Sequence, residues 1–384
     1  MKLLFINGHL NTGGVEKSLL DILRHLDYTK YEVELLLLEE LGDYASFLPP
    51  QVQINLCCLK NTYGSLVKSL LNCIRNRDWF CFKMRLIFLI MKFWGQDKIS
   101  LAKNMLTKRK YYDCVIGYRS GICTLIASYA INAKRRITWW HHGTVNVEYG
   151  SYLHEVANCD IIVAVSDGIH KMLVETMPLL SPKIITIPNM VDVLELQSQA
   201  MLFNPYKEES MLHIVSLGRL VSEKHFQNAI QAAKQLKSIG IPFQWHLVGE
   251  GILHDTLLQY AKDLDVADCF IFEGNQPNPY PYLKHADLFV HPSYVESQGL
   301  VVLEAMALGI PCVVTKSLGV CEFIEDGYNA FLTEQNSASL AEKVVEILSN
   351  REMLINICTH TSCPNRYLPQ NVLKKFDAML EESM

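Results

Sequence analysis

Short, continuously apolar runs alternate with longer amphipathic stretches along most of this chain, and after one polar interruption the alternation begins again. In the first half, residues 3–7, 32–38, 114–117, 136–140, 161–165 and 183–187 read as strands, with helical periodicity at 15–26 and 121–131. In the second half the strand candidates are 213–217, 244–248, 269–272, 288–291 and 312–315, and helices fit 227–238, 253–264, 300–308 and 339–348. A strand that is apolar at every position must be covered on both faces, as happens when helices cross over a parallel sheet. The expected fold class is therefore α/β, with two doubly wound parallel-sheet domains. The interruption is the polar stretch 193–210, which follows Ile187-Pro188-Asn189 and contains Asn204-Pro205, a turn-favouring pair. It sets the first domain at residues 1–192 and opens the second at 193. A chain of 384 residues is long enough for two such cores.

Composition narrows the function classes. A net charge of −5 argues against a dedicated nucleic-acid binder, and no nucleic-acid partner is expected. The charge is segregated, because residues 68–110 hold eleven Lys and Arg against two acidic residues. The twelve cysteines are scattered, with no C-x-x-C pair, which points to a reducing compartment rather than a disulfide framework. The opening MKLLFINGHLNTGG is too short in its apolar part for a secretory signal, and the run at 86–91 is far too short to span a bilayer. A cytoplasmic protein, soluble or surface-bound, is expected.

Open parallel sheets bind ligands beyond the carboxyl ends of their strands, where helix N-termini offer free N–H groups. Glycines and ionisable residues gather at those ends here. The strand at 3–7 runs into Thr12-Gly13-Gly14-Val15-Glu16, and the one at 136–140 into His141-His142-Gly143. In the second half, 213–217 leads to Gly218-Arg219 and then Lys224, 244–248 to Gly249-Glu250-Gly251, and 288–291 to Pro292-Ser293 and Glu296-Ser297-Gln298-Gly299. Two such edges facing each other would form a cleft.

The most informative segment runs from Glu296 to Gly309. Its helix, from Leu300 on, is apolar on every face except for Glu304. A buried carboxylate is costly unless paired or hydrogen-bonded. Vicinal hydroxyls of a ribose would supply the partner for Glu304; a salt bridge within the protein is the alternative. Glu296 either meets a ligand or caps the helix, and the backbone N–H groups at Gln298, Gly299 and Leu300 are free for an anion.

Glu296-x7-Glu304, with Gly218-Arg219 and Lys224 upstream, resembles the signature of retaining glycosyltransferases of family GT4, whose fold is GT-B. The Gly13-Gly14 turn, Ile187-Pro188-Asn189-x2-Asp192, Gly249-Glu250-Gly251 and Pro292-Ser293 resemble further family elements in the same order, from residue 3 to about 330. The resemblance implies two Rossmann-like domains, with a nucleotide-sugar donor in the one at 193–369, an acceptor in the one at 1–192, and a helix at 370–384 that returns to the first domain. It also implies that Glu296 bonds donor-sugar hydroxyls, Glu304 the ribose, and a histidine at 141 or 142 the donor sugar, with His141 preferred. Base recognition by backbone groups near Gly249 and Gly274 follows from the same likeness. Ser297-Gln298 stand where many relatives have Gly-Phe, so the donor sugar is left open.

The chemistry needs fixed cations for the charge that develops on a leaving diphosphate. Arg219, a planar fork, and Lys224, a point charge, are the candidates. The amides of Gly13 and Gly14 would close on the same group. Asp263-Leu-Asp265 looks like a metal-binding D-x-D but lies at the end of an amphipathic helix; no metal and no cofactor are expected. The basic insert at 64–110 carries aromatics among its cations from residue 68 on, which suits the surface of an anionic membrane or a lipid-diphosphate acceptor. The expected activity is transfer of a hexose or N-acetylhexosamine from a UDP-sugar to a lipid-linked or oligosaccharide acceptor in surface polysaccharide synthesis, on the inner face of the cytoplasmic membrane. A nucleotide-sugar epimerase and a non-catalytic partner in an assembly complex are the alternatives.

Overall fold

The computed structural model describes residues 1–57, 66–75, 77–79, 81–83, 85–86, 110–145, 153–207 and 211–381. The chain divides into two compact units, Met1–Ile187 with Leu373–Met384, and Pro188–Val372. The division falls between Ile187 and Pro188 rather than between 192 and 193. Local bonds explain the shift: the Val191 amide donates to the Tyr367 carbonyl at 2.8 Å, and the Gln298 side chain holds the Asn189 backbone.

The first unit is built on a sheet of seven parallel strands. They are β1 (Lys2–Asn7), β2 (Glu32–Leu37), β3 (Gln53–Leu56), β4 (Tyr111–Gly117), β5 (Asn132–Trp140), β6 (Ile161–Ala164) and β7 (Ile184–Thr186). Their order across the sheet is β3-β2-β1-β4-β5-β6-β7. The inner strands are the apolar runs of the sequence; β1 and β2 are buried at every position after the first. The expected helix at 121–131 is a short α-helical turn, Ile122–Leu125, followed by a π-helical turn, Ile126–Ala130. The helix Pro369–Glu381 joins this unit from Leu373 on. Its Phe376 is fully buried, with ring centroids 6.3 Å from Phe5 and 6.1 Å from Trp139. Arg135 Nη1 donates to the Met379 carbonyl at 2.6 Å, which satisfies part of the helix C-terminus.

The second unit has six parallel strands, β8 (Leu212–Leu217), β9 (Phe243–Val248), β10 (Phe270–Gly274), β11 (Leu288–His291), β12 (Cys312–Thr315) and β13 (Phe331–Thr333), in the order β10-β9-β8-β11-β12-β13. Alternate residues serve opposite faces. Ile214, Trp245 and Leu247 pack with the helices Phe226–Ser238 and Ser337–Ser349, while Val215, Val248 and Phe289 pack with Leu300–Ala307 and Val193–Ala200. The last of these helices corrects the sequence reading, which took 193–210 as a linker. Asp192 caps it, its side chain accepting from the Glu195 amide at 3.1 Å.

Two further expectations meet the structure here. Cys57 and Cys81 form a single bridge within one buried cluster, while nine other described cysteines are free. The basic insert is described only in part, chiefly the helix Leu66–Arg75, so the expectation for residues 68–110 lies mostly outside the described residues. Among the described residues no helix is long and apolar enough to cross a membrane.

Candidate functional site

In the second unit β8 and β11 lie side by side, and the chain leaves them toward opposite edges, β8 to β9 and β11 to β12. This is the point where an open parallel sheet leaves a crevice past its strand ends. Gly218, Arg219 and Lys224 follow β8, and Glu296 to Leu300 follow β11. Lys224 Nζ and His291 Nε2 both bond Oε1 of Glu296, the latter at 2.6 Å. Burial alone would raise the Glu296 pKa. Lys224 and His291 outweigh it and hold the carboxyl well below the usual carboxylate range. His291 is wholly buried; burial pushes its pKa down, so the ring is neutral, donates through Nε2, and leaves Nδ1 with no hydrogen-bond partner among the described residues. Sequence reasoning took His291 only as the last residue of a strand. The missed signal is a polar residue closing an apolar run, five positions before a carboxylate.

Arg219 stands exposed and makes no ion pair among the described residues. Gly249 has φ +139°, and a Cβ there would lie 2.0 Å from the Gly218 carbonyl oxygen; one on Gly251 would lie 2.5 Å from that of Leu220. These glycines let the ends of β8 and β9 pack against each other. The Gly249 amide donates to the Gly274 carbonyl at 2.8 Å, so that amide is already committed. Glycine is also required at 299, where φ is +75° and a Cβ would meet Val320 at 2.5 Å. No side chain caps the helix Leu300–Ala307; the Val302 amide donates to the Gly299 carbonyl at 2.9 Å, and the N–H groups of Leu300 and Val301 are left for an anion.

Two expectations change. The Gln298 side chain is taken up within the protein: it is 1% exposed, its Oε1 accepts from the Asn189 amide at 2.7 Å, and its Nε2 donates to the Asn189 carbonyl at 2.9 Å. Glu304 does not depend on a ligand for a partner, since Tyr280 Oη donates to its Oε1 at 3.2 Å. Ser297, half-buried, stays on the loop beside Glu296.

The remaining predicted residues belong to the first unit. The helix Gly14–His25 starts at the glycine pair, and a Cβ on Gly13 would lie 2.5 Å from Oε2 of Glu16, whereas one on Gly14 would meet nothing within 4 Å. Glu16 is buried, with Arg119 Nη1 at 3.6 Å and His9 Nδ1 at 3.8 Å. His141 is buried with its ring centroid 4.9 Å from that of Tyr118, and burial pushes its pKa down to about 3. His142 is more open, and its carbonyl accepts from Trp140 Nε1 at 3.0 Å. Asp263 and Asp265 lie at a helix end, Asp265 97% exposed and 3.4 Å from Lys237. Among the described residues no group of three or more His, Cys, Asp or Glu is placed to hold a metal.

Residues 200–358 match the family model described as Glycosyl transferases group 1. The N-acetyl-alpha-D-glucosaminyl L-malate synthase of Bacillus anthracis is 30% identical over 252 residues, covering 62% of this chain and 64% of that protein. The lipopolysaccharide core biosynthesis glycosyltransferase LpsE of Rhizobium meliloti is 35% identical over 133 residues, covering 35% of this chain and 38% of that one. The chain thus spans less than two thirds of the length of either relative. Anabaena HepE, solved in complex with UDP and glucose, superposes with a TM-score of 0.72 at 19% identity over 100% of both chains. With two all-parallel α/β units, that likeness identifies the fold as GT-B.

Proposed function

Taking as premise a GT-B chain of the group 1 glycosyl transferase type, we propose that it is a metal-independent, retaining glycosyltransferase. It moves a hexose or N-acetylhexosamine from a UDP-sugar to a lipid-linked saccharide during surface polysaccharide synthesis. The observation that carries this reading is the convergence of Lys224 and His291 on Glu296 at the β8/β11 crevice, with exposed Arg219 on the same strand-end edge.

Each group has a task. Arg219 and Lys224 meet the negative charge of the leaving diphosphate; the ammonium has three protons, enough to keep Glu296 while it takes a phosphate oxygen. The Glu296 carboxylate, ionised and aligned by His291, accepts hydroxyls of the donor sugar. Glu304 receives the ribose beside Tyr280, and the amides before Leu300 face phosphate oxygens. Retention is assigned from the Glu296-x7-Glu304 pattern, with the acceptor attacking the face from which the diphosphate departs. A UDP donor is favoured by the UDP in the HepE structure, and the acceptor class by the LpsE likeness. The basic, aromatic segment 68–110 supports attachment to the inner face of the cytoplasmic membrane.

The test is a panel of UDP-, GDP- and ADP-sugars with EDTA present, scored for nucleotide release and for transfer to a lipid-linked saccharide extract. Release of UDP coupled to transfer, with the α configuration of the donor kept in the product, is expected. Interconversion of the sugar nucleotide without release would instead make the protein an epimerase, and binding without turnover a non-catalytic partner.

A further inference from the structure

Three side-chain or backbone tethers fix the loop between β11 and the helix Leu300–Ala307. At its head, Lys224 and His291 hold the Glu296 carboxylate. Behind it, the Gly319 amide donates to the Glu296 carbonyl at 3.1 Å, and position 319 is confined to glycine because a Cβ would lie 2.4 Å from the Gln298 nitrogen. The third tether is the Gln298 side chain, whose amide takes both the N–H and the C=O of Asn189 at 2.7 and 2.9 Å. A primary amide accepts and donates side by side in this way at any ordinary pH, whereas a carboxyl does so only when protonated. The Asn189 peptide lies one residue past the start of the second unit at Pro188. The Gln298 side chain is therefore two residues from the Glu296 carboxylate, is taken up within the protein, and is bonded to backbone 109 positions away.

We propose that Gln298 is a positioning residue: its paired bonds to Asn189 set the place of Glu296 and of the amides that lead into the helix, and donor recognition depends on them. The inference rests on the glycosyltransferase reading of the same site.

Two variants separate positioning from general stability. Gln298→Met keeps volume and loses both bonds. Gln298→Glu keeps the shape; while ionised it can accept from the Asn189 amide but cannot donate to the carbonyl. Burial raises the pKa of such a carboxyl, and once protonated it regains the donor. With the wild-type donor and acceptor, kcat/KM for the donor is expected to fall about tenfold or more in both variants, the size of one unpaired buried hydrogen bond. KM for the acceptor is expected to hold. Between pH 8 and 5.5, measured relative to wild type, Gln298→Glu regains activity as the pH falls, while the Gln298→Met deficit stays flat. A loss of melting temperature with unchanged donor kcat/KM per folded molecule would overturn the proposal, as would a Gln298→Glu deficit that ignores pH. If wild type itself neither binds nor turns over any nucleotide-sugar, the glycosyltransferase reading fails. The positional claim is then read from hydrogen exchange at 296–300, which must quicken in Gln298→Met relative to the amides of β11; equal protection would overturn it.

Discussion

The Nε2 of His291, at the end of β11, lies 2.6 Å from Oε1 of Glu296 on the loop that follows. The strand fixes the imidazole, and the imidazole fixes the carboxylate, so the position of Glu296 derives from a strand whose four residues are all buried. His291 must be neutral to leave Nδ1 unprotonated in this setting, and Glu296 must be ionised to accept two donors.

Both states make the second unit sensitive to acid. The folded pKa of His291 lies below its ordinary 6.5, so the unfolded chain takes up the proton first and stability falls as the pH drops below about 6.5. The folded pKa of Glu296 lies below its ordinary 4.5, so its contribution is present above that pH and is lost on further acidification. In the first unit His141, with its pKa near 3, adds loss of the same sign. Urea titrations from pH 7.5 to 4 check this: His291→Gln, which keeps a donor but cannot titrate, is expected to flatten the slope between pH 6.5 and 5. An unchanged slope would contradict the assignment.

Glycines at 249 and 14 are expected to differ in what an added methyl costs. Gly249→Ala drives a methyl into the Gly218 carbonyl and is expected to cost about 3 kcal/mol, seen as a lowered urea midpoint. At Gly14 a methyl meets nothing within 4 Å, so Gly14→Ala changes stability by no more than about 1 kcal/mol.

Removing the Phe376 ring tests the returning helix. The ring is fully buried against Phe5 and Trp139. Phe376→Ala is expected to cost about 3 kcal/mol or more, confined to the first unit. Calorimetry of the variant should show one transition lowered and the other in place; two transitions moving together would contradict that confinement.

Much of this arrangement is legible in the amino-acid sequence. The inner strands stand out because burial on both faces makes them apolar throughout. β3 does not, since all four of its residues are exposed at a sheet edge, and β13 is only three residues long. The helix Val193–Ala200 is hidden by its polar composition, although Asp192 and Glu195 form a visible N-terminal signature. The strand-end rule singles out Arg219, Lys224 and Glu296, and the structure pairs Lys224 with Glu296. It does not tell Gln298 from its neighbours, because whether a side chain turns toward a ligand or back onto the peptide of Asn189 depends on packing that no local pattern records.

The central claim is that the crevice beyond β8 and β11 binds a nucleotide diphosphate. Arg219 is the cleanest probe, being exposed and without an ion pair among the described residues, so Arg219→Ala should alter stability by no more than about 0.5 kcal/mol. Calorimetric titration of UDP into wild type and Arg219→Ala, in EDTA, is the direct measurement. The account predicts binding by wild type and an affinity about tenfold or more lower in the variant, the loss of a charged hydrogen bond. Equal affinity in the two proteins, or no binding of UDP, GDP or ADP by wild type, would contradict it.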